Sequence, residues 1–364
     1  MEITDVDTYT LHRPLDRVVG DSRLEITDLY TVVVELETDE GYTGTGWMNS
    51  LGFAPDLMER FVDSQFRDVV VGADPFATEE LRKRLRARTV YYGELGLSAW
   101  PRSAIDVACW DIKAKAADQP LYRLLGGDDD RVRAYASSMD AHHDLDDLAD
   151  LHGGFADAGF TAFKTKVGDK SPEEEARRVA EVREAVGPDA DVFVDANQAW
   201  TVPEAIETVA AMDEHGVDWV EEPISEFDLD GHARVAAATG PPLATGEMLN
   251  RPEQFVRLLE RGGMEIAQPD LIRAGGVSGQ TRVADLAATY NVPLATHFYY
   301  VVSAHVVSAA GTGFVVEYIP EYDTGPLLDP TPVVEDGHVH LPDRPGHGYR
   351  IDPDAKDDHL VTFD

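Results

Sequence analysis

The sequence predicts an α/β protein built around a closed barrel of eight parallel strands, with a smaller α+β lobe before it. Between residues 131 and 320, eight short apolar segments alternate with amphipathic helical stretches, which is typical of parallel strands joined by crossover helices. Before residue 131, strand-like segments come first and helical ones second. A length of 364 residues accommodates both parts. A doubly wound open sheet is the alternative for the second part.

The first lobe begins with strand-like runs and continues with helical patterns. The runs lie at residues 6–11, 29–37 and 42–47, the last two joined by a Thr-Asp-Glu-Gly turn, and the helical patterns lie at residues 54–70, 76–90 and 101–118. Residues 321–364 are turn-rich and are expected to pack back on this lobe. We therefore expect a capping domain of residues 1–130, completed by residues 321–364, and a barrel domain of residues 131–320.

The barrel strands are expected at eight places along the second part of the chain. They are residues 132–137, 160–167, 192–197, 217–222, 242–247, 264–270, 293–297 and 314–317. Stretches such as residues 172–185 and 203–214 have the length and the amphipathic pattern of the intervening helices. Eight strands joined in this way are the number that closes a (β/α)8 barrel.

Composition excludes several classes of function. The chain has 68 Asp and Glu against 31 Lys and Arg, a net charge of −37, so neither nucleic acid nor an anionic membrane is an expected partner. The acidic excess is spread along a Lys-poor chain, which indicates adaptation to a salty, halophilic cytoplasm; an acidic protein from an ordinary cell is the alternative.

The start has no signal-peptide pattern and no apolar run is long enough to span a membrane, so a cytoplasmic location is expected. The single Cys109 excludes intrachain disulfides and cysteine-built metal sites.

Ionisable residues mark the ends of nearly all the predicted barrel strands. From Lys166 onward they recur at intervals of 20–29 residues, about one strand and helix each: Lys164, Lys166, Asp195, Glu221, Glu247, Asp270, His297 and Glu317. Because the carboxyl ends of barrel strands meet at one mouth, we expect these side chains to share a pocket. Asn197 points to the same face as Asp195, since alternate residues of a strand share a face.

These residue types suggest metal-assisted acid–base chemistry. Three carboxylates on neighbouring strands, Asp195, Glu221 and Glu247, repel one another unless a cation joins them, and an oxygen-only set favours Mg²⁺. The paired ammonium groups of Lys164 and Lys166, with a nearby cation, are expected to lower each other's pKa toward that of a working base. Asp270 would orient His297 and raise its basicity. A protonated Glu317 would donate to an oxygen that gains charge.

Taken together, these residues resemble the enolase superfamily in its mandelate racemase subgroup. The matching segments are Lys-Thr-Lys-Val-Gly at 164–168, Val-Asp-Ala-Asn-Gln at 194–198, Trp-Val-Glu-Glu-Pro at 219–223, Thr-Gly-Glu-Met at 245–248, Gln-Pro-Asp at 268–270 and Thr-His-Phe at 296–298. The resemblance covers nearly the whole chain. It implies a modified TIM barrel, (β/α)7β, with an N-terminal α+β capping domain, and a homo-oligomer, often an octamer in related enzymes.

The resemblance also implies roles for the strand-end residues. Asp195, Glu221 and Glu247 would bind Mg²⁺, which binds the substrate carboxylate. Lys166 and His297 would flank the α-carbon on opposite faces, and Lys164 and Glu317 would stabilise the enediolate. The position of Asp270 carries Lys in the muconate-lactonizing and dipeptide-epimerase subgroups, which disfavours those activities.

The expected reaction is dehydration of a sugar acid, an aldonate or aldarate, to a 2-keto-3-deoxy acid. Polar residues on the capping loops and after the seventh strand suit a polyol substrate: Arg17, Asp21, Arg23, Asn49, Tyr299 and Tyr300. Racemisation or epimerisation of a 2-hydroxy acid is the alternative. The residues that would suit an aryl 2-hydroxy acid are Val18, Val19, Phe298 and Ile319. A non-catalytic barrel that binds sugar acids is a third possibility, disfavoured because every base and ligand position is intact.

Overall fold

Two sheets organise the molecule: a four-stranded antiparallel sheet formed mainly by the N-terminal region, and a closed eight-stranded parallel barrel. The structure is a computed structural model that describes residues 1–91, 93 and 95–363, without the side chain of residue 16. No helix among the described residues combines the length and the apolar character needed to cross a membrane.

The N-terminal sheet is a meander of three long strands, β1 (Ile3–Gly20), β2 (Glu25–Thr38) and β3 (Thr43–Ser50). The prediction of three strands here is confirmed, but the first pair runs further than predicted. Pairing of β1 with β2 continues past an irregularity between Pro14 and Val19. The extension carries the chain over the barrel, so that the turn between these strands lies beside the barrel mouth.

Helices follow this sheet in the chain. They are α1 (Pro55–Phe61), continued by a π-helical turn Val62–Phe66, α2 (Arg67–Val70), α3 (Thr78–Thr89), α4 (Trp100–Ala116) and α5 (Leu121–Leu124), with a 3₁₀ turn at Gly96–Ser98. Of these, α1, α2 and α4 pack directly against the sheet. Two glycines let α4 approach β3 closely. A Cβ on Gly44 would lie 2.1 Å from the carbonyl oxygen of Ala108, and one on Gly46 equally close to that of Ala104. Any side chain there would therefore push the helix off the sheet.

The barrel has eight parallel strands and is closed by pairing of the last strand with the first. The strands are β4 (Arg131–Ser137), β5 (Ala162–Lys166), β6 (Asp191–Asp195), β7 (Trp219–Glu221), β8 (Leu243–Thr245), β9 (Ile266–Ala267), β10 (Leu294–Thr296) and β11 (Gly313–Tyr318). Val316 of β11 lies opposite Ala134 of β4. The predicted barrel is confirmed, and the open-sheet alternative is wrong.

Helices surround the barrel strands. They are α6 (Leu145–Asp157), α7 (Pro172–Val186), α8 (Val202–Met212), α9 (Leu229–Ala238), α10 (Pro252–Arg261), α11 (Leu271–Ala274), α12 (Gly276–Thr289) and α13 (Tyr300–Ala309), with a 3₁₀ turn at Asp213–His215. The start of α7 is set by its sequence. Ser171 accepts from the backbone of Glu174, which bonds back to Ser171, and Pro172 fixes the first turn.

The C-terminal segment runs from the barrel back to the N-terminal sheet. Its elements are 3₁₀ turns at Pro320–Tyr322 and Gly325–Leu327, then β12 (Leu328–Asp329), β13 (Val333–Glu335), β14 (His338–His340), β15 (Arg350–Ile351), α14 (Pro353–His359) and β16 (Leu360–Val361). β14 pairs with the start of β4, and β16 pairs with β1. Residue 364, at the end of the expected capping segment, lies outside the described residues. The domain boundaries stay a prediction.

Candidate active site

The barrel interior is filled by one apolar side chain from each strand, and this plug sets the level at which polar residues begin. The eight residues are Tyr135, Ala162, Phe193, Trp219, Ala244, Ile266, Ala295 and Val315. The rings of Phe193 and Trp219 stack with their centroids 3.5 Å apart. Because side chains alternate along a strand, the next inward position is two residues further on.

That next layer is almost entirely polar. It contains Ser137, Lys164, Asp195, Glu221, Gly246, Gln268, His297 and Glu317, and every one of these residues except Gly246 and His297 is among the buried polar or charged side chains. A buried polar layer directly above an apolar plug is costly unless its members pair with one another or with a ligand. The layer is therefore the candidate active site.

Three carboxylates in or beside this layer come together. Asp195, Glu221 and Glu247 each offer an oxygen, and these atoms all lie within 4.8 Å of one another. Asp195 and Glu221 end neighbouring strands, whereas Glu247 follows β8 by way of Gly246. Gly246 has φ +138°, a region that favours glycine, and a Cβ on it would lie 2.7 Å from the ring of Phe255. This glycine lets the chain turn Glu247 toward the other two carboxylates.

The electrostatics of the trio fit a divalent cation. Burial and repulsion from Asp195 raise the pKa of Glu221 to about 8. One Oε of Glu247 makes no hydrogen bond within the described residues. A set of close carboxylate oxygens with no sulfur or imidazole in it is the donor chemistry that Mg²⁺ prefers. The residues present therefore fit Mg²⁺.

Lys164 lies beneath the trio and neutralises part of its charge. Its Nζ donates to both carboxylate oxygens of Glu221, at 2.9 and 2.8 Å, and lies 2.6 Å from an oxygen of Glu317. Burial lowers the pKa of Lys164, but attraction by Glu221 and Glu317 outweighs it, so the net pKa is well above the usual value. Lys164 is therefore a fixed cation.

Lys166 lies two residues after Lys164 on β5, closer to the barrel mouth, and lines the cavity described below. Its Nζ donates to Asp195 Oδ2 at 2.5 Å. Burial lowers the pKa of Lys166, yet attraction by Asp195 raises it further, and the net pKa lies above the usual value. Among these side chains, Asp195 is closer to Lys166 than Lys164 is, and its attraction outweighs the repulsion. The expected lowering of the lysine pKa, which depends on a nearby cation as well, stays a prediction.

Asp270 and His297 face each other across neighbouring strand ends. His297 Nδ1 lies 2.8 Å from Asp270 Oδ2, and the other Asp270 oxygen accepts from the backbone of Ile272 and Arg273 at the start of α11. Burial lowers the pKa of His297, but Glu247 and the bond to Asp270 raise it, leaving the net pKa above the usual value. The helix start thus fixes the carboxylate, and the carboxylate fixes the imidazole, with Nε2 3.2 Å from Glu247.

Glu317 and Asn197 complete the polar residues expected here. Burial raises the pKa of Glu317, but attraction by Lys164 and His297 lowers it to about 2, so this arrangement favours the ionised carboxylate and not the protonated form that a donor role requires. Its Oε2 accepts from the backbone of Phe298 at 2.9 Å. Asn197 has φ +46°, and its backbone donates to Asp195 at 2.9 Å. Its Oδ1 is buried without a partner in the described part of the chain.

A cavity of about 360 Å³ lies above this layer. Its floor includes Lys166, Asn197, Glu247, Asp270, His297 and Glu317. Its roof comes from the turn after β1 and from the segments around β3, α1 and α4, and much of it is apolar: Leu51, Phe53, Met58, Leu97 and Trp100. A charged floor under an apolar roof suits a small acid whose reacting end is buried.

Four of the six residues expected to contact substrate line this cavity: Asp21, Arg23, Asn49 and Tyr299. The carboxylate of Asp21 accepts from the backbone of its own turn at Arg23 and Leu24, and the Tyr299 hydroxyl accepts from the backbone N–H of Asn49 at 2.8 Å. Both polar side-chain atoms of Asn49 are buried without a partner among the described residues. Asn49 therefore has unused hydrogen-bonding capacity at the cavity.

The other two expected residues lie elsewhere, which corrects that part of the expectation. Arg17 is outside the cavity lining, with its side chain 53% exposed and paired to Glu321 at 3.4 Å. The Tyr300 hydroxyl donates to Asp323 at 2.7 Å, away from the main cavity. Side chains in a loop and at a helix start take their direction from tertiary packing, which the local sequence does not specify.

Several site residues were missed in the sequence. Gln268 donates to Glu221 at 2.8 Å and to Tyr135, and Arg273 donates to the Glu247 carboxylate at 3.3 Å. Tyr322 reaches the cavity from the C-terminal segment. The signal for Gln268 was its place two residues after the apolar Ile266, in phase with the other strand ends. No comparable pattern marks Arg273 or Tyr322.

Comparisons with known proteins agree with this geometry. Residues 6–126 match the family model described as mandelate racemase / muconate lactonizing enzyme, N-terminal domain, and residues 147–355 match the model described as enolase C-terminal domain-like. The chain is 31% identical to the 3,6-anhydro-alpha-L-galactonate cycloisomerase of Streptomyces coelicolor, covering 97% of each protein. It is also 31% identical to the L-talarate/galactarate dehydratase of Salmonella typhimurium, over 94% of this chain and 87% of that one.

Solved structures give the same answer. The structure of a racemase from Streptomyces coelicolor with bound magnesium superposes with a TM-score of 0.94 at 31% identity, covering 99% of this chain and 100% of that one. A solved structure with the same fold as this chain therefore contains magnesium, the ion that the carboxylate trio fits.

Proposed function

The chain belongs to the mandelate racemase / muconate lactonizing enzyme family of the enolase superfamily, and we propose from this premise that it removes the proton α to the carboxylate of a sugar acid. The product would be a 2-keto-3-deoxy acid, formed by loss of water. The observation that carries the proposal is the pairing of two proton-transfer groups, Lys166 and His297, on the floor of one cavity beside the carboxylate trio. Relatives that dehydrate sugar acids support this choice of substrate class.

The chemical barrier is the negative charge that develops on the substrate carboxylate as the α-proton leaves. Mg²⁺ held by Asp195, Glu221 and Glu247 would stabilise that charge and take up the Asp195 charge that otherwise retains the proton on Lys166. Lys164 adds a fixed positive charge beneath the trio. Its ammonium bonds to Glu221 and Glu317 keep it in place.

Proton movement is assigned to two side chains. Lys166 and His297 end the second and seventh strands, so they reach the cavity from different sides of the barrel mouth. One removes the C2 proton, and the other delivers a proton to the leaving C3 hydroxyl, which departs as water. The enol that remains loses its hydroxyl proton and gains one at C3, which gives the 2-keto-3-deoxy acid. The raised pKa of His297 suits the acid role, because it favours the protonated imidazole.

The rest of the substrate is assigned to residues of β3, of the turn after β1 and of the segment after β10. The Asn49 amide, buried and unpartnered in the described structure, would bind a distal hydroxyl, with Asp21, Arg23 and Tyr299 shaping the wall around it. A substrate analogue without that hydroxyl would leave the buried amide without a hydrogen-bond partner, so the site would discriminate strongly against it.

Racemisation or epimerisation of a 2-hydroxy acid is the second candidate, and the apolar roof favours it. Phe53, Leu97 and Trp100 offer an aryl or alkyl group more contact than they offer a polyol. In this reaction the group opposite the base returns a proton to C2 instead of to a leaving hydroxyl.

One experiment separates these candidates. The protein with Mg²⁺ in D₂O is incubated with a panel of aldonates, aldarates and aryl 2-hydroxy acids, and both C2 deuterium and 2-keto product are measured. We expect 2-keto-3-deoxy product from at least one sugar acid. Deuterium at C2 without loss of water would replace dehydration by racemisation. Absence of exchange with every acid would favour a barrel that binds sugar acids without reacting them.

We also propose the setting in which the enzyme works. The even spread of acidic charge, −37 net, supports function in a cytoplasm of high salt, where screening reduces self-repulsion. The proposal of a homo-oligomer rests on the family resemblance. Light scattering in low and high salt tests both.

A further inference from the structure

A carboxylate outside the cavity holds the backbone of Lys166. The pairing of β4 with β5 ends at Ser137 and Lys164, so strand β4 supplies no partner for the residues beyond that point. The backbone nitrogen of Lys166 donates instead to Asp140 Oδ1 at 2.8 Å. Asp140 is fully buried and is not among the residues that line the cavity.

Asp140 is itself held from two other directions. His152 Nε2 lies 3.0 Å from Asp140 Oδ2, and His152 Nδ1 is buried without a partner among the described residues, which fits an imidazole whose Nε2–H donates to Asp140. Arg178 Nη2 donates to the carbonyl oxygen of Asp140 at 3.0 Å and to that of Lys166 at 3.4 Å. All three side chains are buried.

The segment after Lys166 is fixed by the same group of residues. The Glu175 carboxylate accepts from the backbone of Gly168 at 2.7 Å and of Lys170 at 3.0 Å, and Lys170 Nζ donates to the carbonyl of Ala141. The chain on both sides of Asp140 is therefore tied to the chain on both sides of Lys166. A segment held by hydrogen bonds from several buried side chains has few alternative arrangements.

Asp140 also connects the cavity roof to the barrel. Its backbone forms a parallel bridge with Gly20, at the end of β1, and Gly20 donates to the carbonyl of Met139. Asp21 and Arg23, which line the cavity, follow Gly20 directly. One buried residue thus joins the turn that faces the substrate to the strand end that carries the base.

We propose that Asp140, supported by His152 and Arg178, is a positioning residue that sets the reach of Lys166 toward the substrate. It touches neither substrate nor the reacting atoms. This inference rests on the proposed function, in which Lys166 and His297 act at C2 from different sides. His297 has its own anchor in Asp270, so a loss of the Asp140 anchor acts on one side only.

The test uses two acids that differ only in configuration at C2, incubated with Mg²⁺ in D₂O. Wild type should exchange the C2 proton of both epimers, one through each group. Asp140→Asn keeps the size of the side chain, but its amide offers an NH₂ group or a weaker acceptor where the carboxylate accepted from Lys166 and His152. It should slow the C2 exchange that proceeds through Lys166 about 10- to 100-fold. The exchange that proceeds through His297 should change less than about threefold. Equal slowing of both sides in a folded protein would overturn the proposal.

A second pair of variants guards against a folding defect in Asp140→Asn. His152→Gln retains an N–H near the Nε2 position and should keep the wild-type ratio of the two exchange rates. His152→Leu removes that donor and should lower the Lys166 side selectively. The same ratio in both His152 variants would contradict the proposal, because the Asp140 carboxylate would then need no support.

Backbone hydrogen exchange at Lys166, followed by mass spectrometry, is the readout that does not depend on turnover. Its amide should lose protection in Asp140→Asn while the amides of β6 and β7 keep theirs. Unchanged protection of the Lys166 amide would show that Asp140 does not hold this backbone, even where the enzyme is active. If the wild-type protein exchanges the C2 proton of no acid, the proposed function is overturned, and Asp140 then has no catalytic role through Lys166. The protection of the Lys166 amide would still decide whether Asp140 holds that backbone.

Discussion

The imidazole Nδ1 of His297 lies 2.8 Å from Oδ2 of Asp270, and the second oxygen of the same carboxylate accepts the first backbone N–H groups of α11. A helix start thereby fixes the orientation and the tautomer of a side chain on the next strand. His297 is left with Nε2 toward the cavity, on the side of Glu247.

Asp270→Asn should therefore strongly slow the proton transfer that His297 performs, without unfolding the site. Asn retains an acceptor for the helix start but weakens the hydrogen bond that, after Glu247, raises the pKa of His297 and that orients its ring, so turnover should fall about 10²–10⁴-fold. Steady-state kinetics across pH and the circular dichroism spectrum measure this. Asp144→Asn is the matched control, since Asp144 caps α6 in the same way and is remote from the cavity. Equal losses in both variants would refute a special role for Asp270.

Removal of divalent cation should abolish activity, and Mg²⁺ should restore it. A ligand at 100 times its Kd stabilises the fold by about 2.7 kcal/mol, so added Mg²⁺ should raise the melting temperature. Glu221→Gln should lose this rise because it breaks the carboxylate trio. Glu317→Gln should keep the rise but lose turnover, since Glu317 lies outside the trio. Thermal unfolding with and without Mg²⁺ is the measurement, and a persistent rise in Glu221→Gln would count against this cation site.

Gly246→Ala should damage the cation site indirectly. The new Cβ would lie 2.7 Å from the Phe255 ring and 3.1 Å from the carbonyl of Gln268, in a backbone region unfavourable to Ala, so a loss of about 2–4 kcal/mol in unfolding free energy is expected. The turn to Glu247 should shift, and Mg²⁺ affinity should fall with it.

Gly72→Ala provides the comparison for that substitution. Gly72 also has positive φ, +81°, but a Cβ there would meet nothing within 4 Å. Its cost should stay near 1–2 kcal/mol, about that of the backbone strain alone, with Mg²⁺ affinity unchanged. Urea unfolding and Mg²⁺ titration of both variants decide the point, and similar Mg²⁺ affinity in the two would show that Gly246 does not position Glu247.

Stability should fall as pH drops below about 6.5, in part through His305. Burial and the nearby His347 lower the pKa of His305 to about 3, whereas an unfolded histidine titrates near 6.5. The unfolded chain therefore binds the extra proton first as pH falls, and the folded state loses up to about 1.4 kcal/mol per pH unit between these values from this residue. His305→Gln should reduce the pH slope of the unfolding free energy by about one proton.

The control for this slope is Ser303→Ala on the same helix. It removes the buried bond that Ser303 accepts from Gln280, at 3.1 Å, without removing a titrating group. Its unfolding free energy should be lower at every pH with an unchanged slope. Urea unfolding between pH 7.5 and 5 at fixed salt measures both variants. A wild-type slope in His305→Gln would mean that other groups account for the acid sensitivity.

Period-2 and helical patterns were enough to predict the barrel and to bring its strand-end residues to one mouth. The phase of each strand follows from its apolar residues, so the place of Asp195 two residues after Phe193 could be predicted from the sequence. Glu247 was assigned to a strand, although β8 ends at Thr245 and a turn at Gly246 brings the carboxylate in. Such local irregularities leave little periodic signal.

Quantities that depend on distances between elements could not be predicted. The pKa of Lys166 is set by an Asp195 oxygen 2.5 Å away on the neighbouring strand, and no sequence pattern gives that distance. Arg17 and Tyr300 are polar residues in the expected segments, yet their side chains pair with Glu321 and Asp323. Asp140 likewise has no motif, because its role comes from the early end of β4.

Crystals grown with Mn²⁺ in place of Mg²⁺ test the central claim most directly, because anomalous scattering locates the ion without reference to any assumed site. The account predicts one strong peak in the barrel mouth, with an oxygen from each of Asp195, Glu221 and Glu247 within about 2.0–2.3 Å of it, and Lys166 and His297 on different sides. A peak bound by other residues, or by only one of the three carboxylates, would contradict it.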